Sequence, residues 1–240
     1  MNYGRAFSYV MEDPKWLQKI GIAALILIVP ILGQIVVLGW VLEVTRHVIN
    51  GEPDVLPDWS NFGDFLAKGF QAFVVAIVYA LPVILLQGCF QGLNAALVSM
   101  SANGGDQAQT FQSIANVLGI VGICVSCVVF IYDLAIGVIL PAALGNFAAT
   151  GQIAGGFRFN EILGLVRSAP GPYIIVLLLS FVTSLISILG LIACIIGVLV
   201  TAAYSATVNA HLWGQAYKMA KSLQAGMPPA APVETAAPSM

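Results

Sequence analysis

Asp133 is the one charged residue in the long apolar run from Ser113 to Phe147, SIANVLGIVGICVSCVVFIYDLAIGVILPAALGNF. A carboxylate inside such a stretch is costly unless it is protonated or paired. It reads in two ways: as a protonatable group on an ion or proton path, or as an acid whose hydrogen bond fixes helix packing. Glu43, Arg46 and His47 form a second group. On a helix Glu43 faces both of the others, at i+3 and i+4. They read as an ion pair that neutralises a short interfacial arm, or as a site for a headgroup or substrate phosphate. A third group lies near the C-terminal end. Thr201, Ser205 and Asn209 recur every four residues, Thr207 and His211 make a second row, and Ala202, Ala206 and Ala210 run beside them. That spacing suits close helix contact with hydrogen bonds between helices, or one wall of a polar cavity. Gln34, Gln87, Gln91 and Asn94 could supply another wall.

Two sets of candidate site residues follow. A polar path would be lined by Asp133, Gln34, Asn209, His211 and Ser205. An anionic headgroup would be held by Arg46, Arg158 and Arg167, with Glu43 beside them. Other chemistry has less support. Cys124 and Cys127 share a helix face, but a redox or metal pair needs a loop or helix N-terminus and further ligands. They read as soft packing residues. No Walker loop, HExxH or GxSxG motif is present. No catalytic residue, metal or cofactor is therefore expected, and the chain reads as a non-enzyme.

The positioning elements follow from composition. Of 240 residues, 59% are hydrophobic and 8% charged, against about 25% charged in a soluble domain. Mean hydropathy is +0.94. The class is all-α: a polytopic transmembrane bundle, with the bilayer as its first partner and other membrane proteins or further copies of itself as candidates beyond it. Net charge is −2, so nothing argues for nucleic acid. Arg5, Lys15 and Lys19 precede an apolar run from Ile20 to Leu32, as in a signal peptide. No small-x-small cleavage site follows, so the run is read as the first membrane segment.

Punctuation divides residues 1–222 into about six membrane helices in three hairpins, 14–49, 69–147 and 173–221. Asp13 is the expected N-cap of the first, and Pro30 to Gly33 its break. The arms of this hairpin are so short that it could cross fully or turn back inside the bilayer. Short amphipathic helices at 58–68 and 157–168 are expected in the interface plane. Ser99 to Gln112 is expected as a flexible loop with Pro82 and Pro141 bending the flanking spans, and the Pro/Ala-rich residues 223–240 as a disordered tail.

In this layout all nine Lys and Arg fall on one side of the membrane. The positive-inside rule then places both termini in the cytoplasm. Trp16, Trp59, Tyr173, Trp213 and Tyr217 sit near the same level, as an interfacial aromatic belt would.

Three stretches carry a resemblance: GRAFSYVMEDPKWLQKI, then IVPILGQIVVLGWVLEVTRHVINGE with the following LPDW, and ATVNAHLWGQAY. Together they resemble the prokaryotic membrane-protein family known as domain of unknown function 4013. The resemblance covers roughly Met1 to Lys221. It implies an integral membrane protein of bacteria or archaea with no assigned activity, and offers no catalytic residues to carry over. The expected function is a non-enzymatic scaffold or accessory component of the cytoplasmic membrane. The alternatives are a small transporter or channel, or a lipid-headgroup-binding protein.

Overall fold

The computed structural model describes residues 3–52, 56–103, 105–190 and 194–226. They form eight α-helices: α1 Tyr3–Ser8, α2 Trp16–Ile26, α3 Leu32–Asn50, α4 Phe62–Asn103, α5 Ala108–Thr150, α6 Phe159–Ser168, α7 Pro170–Leu189 and α8 Cys194–Gln224. Short 3-10 turns at Tyr9–Glu12, Trp59–Asn61, Gly105–Gln107 and Ile153–Phe157 join some of them. There is no strand among the described residues. Among the described residues, four segments are long and apolar enough to cross a membrane: Leu32–Asn50, Trp59–Asn103, Gly105–Thr150 and Pro170–Leu189. At 11 residues, α2 falls short of the roughly 17 a crossing needs. The first hairpin therefore pairs one helix long enough to cross with one that is not.

The chain divides into two compact units. The first takes the residues up to Val75 and those from Val138 on; the second is Ala76–Gly137. Within the first, α8 is the central helix, packed against α1, α2, α3, α6 and α7. Its Ala203, Val208, Ala210, Leu212, Ala216 and Ala220 are fully buried. Small residues let neighbours approach closely. A Cβ at Gly214 would stand 2.7 Å from Val48 Cβ on α3. Gly39 on α3 and Gly69 on α4 meet backbone to backbone: a Cβ at Gly39 would fall on the Phe65 carbonyl, and one at Gly69 on the Ile35 carbonyl.

Several expected boundaries move. The helix expected at 58–68 is the 3-10 turn Trp59–Asn61 followed by the first turns of α4, which runs on through Lys68 and Gly69 without a break. A single glycine inside a helix costs only about 1 kcal/mol, and here its bare backbone makes room for α3. Most of the expected 99–112 loop is helical. Ser99 and Ser101 donate to the Ala95 and Val98 carbonyls, and Ser113 to that of Gln109, so these polar side chains ride on the helix. Gly104 lies outside the described residues, and the 3-10 turn Gly105–Gln107 follows it, with Gly105 at φ +51°. In the first hairpin the positive φ falls on Ile31, at +67°, and not on Gly33. Gly33 serves a different purpose, since a Cβ there would meet the Ile26 carbonyl. The amphipathic helix expected at 157–168 is α6, whose buried Ile162 and Leu165 belong to a helix packed on α8. The expected tail starts too early, because α8 reaches Gln224, and residues 227–240 lie outside the described residues.

Candidate functional site

Lys19 is the hub of a polar cluster in the first unit. It sits on α2, which starts at Trp16 with Lys15 and not the expected Asp13 at the cap position; Asp13 lies in the turn ahead of it. Asp13 Oδ1 accepts from the Lys15 backbone N–H at 2.7 Å, and Oδ2 accepts from Lys19 Nζ at 2.9 Å. The same ammonium donates to the Leu56 carbonyl and pairs with Asp58 at 3.0 Å. Two tryptophans pin the same segment: Trp40 Nε1 donates to the Pro57 carbonyl, and Trp59 Nε1 to the Lys19 carbonyl, each at 3.0 Å. Their rings stack at 5.0 Å, and Phe65 meets Trp59 edge-on at 5.6 Å.

Glu43 anchors the adjoining ion network. It accepts from Arg46 and Lys68, each at 3.0 Å, with His47 at 3.8 Å. Lys68 also reaches Asp64 at 2.7 Å, and His47 reaches Glu52 at 3.2 Å. The Glu52 carboxyl is held below its ordinary range, first by the Asn50 side-chain amide and then by the charges of His47 and Arg46. Between the Lys19 and Glu43 networks lies a cleft of about 250 Å³, lined by Lys19, Glu43, His47, Asp58, Ser60, Asn61 and Asp64 together with Leu56, Pro57 and Phe65. It could take a small polar group. No set of three or more His, Cys, Asp or Glu residues is placed to hold a metal ion among the described residues.

The path residues read from the sequence do not come together. Asn209 and Ser205 face α7. Asn209 Oδ1 accepts from Ser180 at 3.1 Å, and its Nδ2 donates to Thr183 at 3.1 Å. Ser205 donates to the Thr183 carbonyl at 2.9 Å and accepts from Ser187 at 3.0 Å. Thr201 donates to the Ser187 carbonyl at 3.3 Å. This ridge is a hydrogen-bonded seam between two helices. His211 belongs to another face of α8: its ring lies 4.0 Å from that of Tyr9, and Nε2 contacts the Gln215 amide. The same face holds the N-terminal segment through Tyr204, whose hydroxyl donates to the Phe7 carbonyl at 2.8 Å. Gln34 is exposed at the start of α3. Asp133 is exposed on α5 in the second unit, with no hydrogen bond or ion pair among the described residues.

The headgroup set is also divided. Glu43 and Arg46 are spent on the ion network. Arg158 pairs with Glu161 at 3.3 Å, and Glu161 in turn accepts from Asn146 at 3.3 Å. Arg167 is exposed on α6. Cys89, Cys124 and Cys127 are exposed free thiols. Sequence reasoning did not single out Lys19, Asp58 and Asp64 as a site. The one available signal was a lysine placed just ahead of the first apolar run.

The seam carries a direct prediction. Hydrogen bonds between membrane helices average about 0.6 kcal/mol each. Asn209→Ala removes two side-chain contacts to α7, so it should cost about 1 kcal/mol. In a detergent melt that is a fall of about 2–4 °C in the midpoint.

Comparison with curated proteins and with solved structures finds no match to this chain. The model of one family matches residues 22–203, most of both units, and leaves out both the opening block from Gly4 to Ile20 and the ATVNAHLWGQAY stretch, 206–217. That family is described as a protein of unknown function, DUF4013, and the chain belongs to it.

Proposed function

We propose that this chain is a non-enzymatic scaffold or accessory component of a prokaryotic cytoplasmic membrane, with both termini on the cytoplasmic side. The observation that supports it best is the use of the polar ridge on α8. Thr201, Ser205 and Asn209 are satisfied by α7, which suits a rigid bundle better than a hydrated path. Glu43 and Arg46 are likewise committed to ion pairs inside the fold, which weakens the headgroup reading. The orientation rests on charge: every Lys and Arg belongs to the first unit, and residues 76–137 carry none.

Flux measurements separate scaffold from transporter. Purified protein in sealed liposomes should pass protons and monovalent ions no faster than protein-free liposomes, and Asp133→Asn should change nothing. Flux above the protein-free control that Asp133→Asn abolishes would replace the scaffold with a conduction path.

A further inference from the structure

The second unit presents a polar stripe on an apolar helix. Gln112, Gly119, Ser126 and Asp133 follow one another at seven-residue intervals on α5, and all four are exposed. Seven residues are nearly two helical turns, with a drift of about 20°, so the four share one face. A Cβ at Gly119 would meet nothing within 4 Å. Ser126 and Asp133 have no hydrogen bond or ion pair among the described residues, while Gln112 pairs with Asn116 and Ser101. The flanks are exposed and apolar: Ile120, Ile123, Phe130 and Ile131.

Helix geometry gives the depth of Asp133. The Tyr132 hydroxyl donates to the Tyr79 carbonyl at 2.7 Å, so this level of α5 lies beside Tyr79 of α4. In the apolar run Ser113–Phe147, Asp133 stands three residues past the midpoint, Phe130, or about 4.5 Å at the helical rise. A hydrocarbon layer about 30 Å thick centred on that run therefore holds Asp133 near its middle.

A carboxylate at that depth, facing out of its own fold, calls for an opposite charge from elsewhere. The same segment of a second copy provides none, because residues 76–137 contain no Lys, Arg or His. We propose that the Gly119–Ser126–Asp133 face of α5 docks a transmembrane helix of another protein that carries one Lys or Arg at mid-depth. The proposal rests on the scaffold reading above and names the chemistry of its partner. The cation pairs with Asp133, while Gly119 and Ser126 let the two backbones approach. Seven-residue spacing selects a left-handed crossing near 20°.

The test uses the full chain with a C-terminal fluorescent-protein donor in phosphatidylcholine liposomes at pH 7. The probes are acceptor-labelled polyleucine helices with a central Lys or a central Leu. Energy transfer should show the Lys helix binding about tenfold more tightly, roughly 1.4 kcal/mol. Asp133→Asn should level the two, and Asp133→Lys should restore the preference for a helix bearing a central Asp. Equal binding of Lys and Leu helices, or a Lys preference that survives Asp133→Asn, overturns the proposal. So does energy transfer between donor- and acceptor-labelled copies of this chain that Asp133→Asn abolishes. Particles extracted from native membranes separate the two levels of the argument. A wild-type particle larger than one chain, with no Lys preference in liposomes, removes this docking face and leaves the scaffold. A particle of one chain alone removes both.

Discussion

Gly39→Ala should lower the thermal midpoint of the purified protein by about 6–12 °C. The added methyl has nowhere to go. It would fall on the Phe65 carbonyl and lie 2.8 Å from the Gly69 backbone nitrogen. These are backbone atoms of α4, so no side-chain rotation relieves the clash, and the two helices must separate. Overpacking of this kind costs typically 1–3 kcal/mol and occasionally more; about 3 kcal/mol is expected here, at 2–4 °C for each kcal/mol in a chain of this size. Gly69→Ala should behave alike, because its methyl would meet the Ile35 carbonyl. Gly21→Ala is the control. A Cβ there meets nothing within 4 Å, and alanine is the better helix former, so the midpoint should hold or rise slightly. A Gly39→Ala midpoint within about 2 °C of the wild type would show that α3 and α4 do not touch at this crossing.

Lys19→Met should be of similar size for a different reason. Lys19 and Asp13 side chains are 11% and 9% exposed, and breaking a buried pair from one side costs about 3–5 kcal/mol, since the remaining charge is left unpaired. The low end applies, because Asp58 is 73% exposed and rehydrates. The Asp13→Asn, Lys19→Met double variant should be more stable than Lys19→Met alone, because the stranded carboxylate is gone. A double-variant cycle in chemical denaturant measures this directly. Acid titration gives a second readout. Burial works against the Asp13 charge, but the Lys19 ammonium and the Lys15 backbone N–H outweigh it and hold the carboxyl below its ordinary value of 3.8. A group lowered on folding contributes stability that is fully present above its unfolded value and lost as pH falls through its folded one. The wild type should therefore lose this contribution below pH 3.8, and Asp13→Asn should flatten that part of the acid limb.

Both positions show what a linear reading reaches and what it misses. Asp13 was read as the N-cap of the first helix, but α2 starts at Trp16 with Lys15 at the cap position, and Asp13 Oδ1 instead accepts the Lys15 N–H in the turn ahead of it. Its second bond, to Lys19, and the reach of Lys19 to Leu56, 37 residues on, carry no local signature. The ridge on α8 was legible as a row of hydroxyls and an amide, with two uses left open. Only the position of Ser180, Thr183 and Ser187 on α7 chose packing over a cavity wall. Gly33 was read as a turn residue because glycine permits unusual φ, whereas Ile31 takes the positive φ and Gly33 makes room for the Ile26 carbonyl.

The amino-acid sequence by itself determined the class: helices throughout, long apolar stretches able to cross a membrane, and family membership over most of the chain. Hydropathy and helix periodicity are sums over neighbours, so they survive without any knowledge of the fold. The tertiary structure alone decided that α8 and not the longest apolar run sits at the centre of the first unit. It also decided that Lys19 joins two aspartates and that Asp133 has no hydrogen bond or ion pair among the described residues. Those outcomes depend on which distant backbones come within a few ångströms of each other.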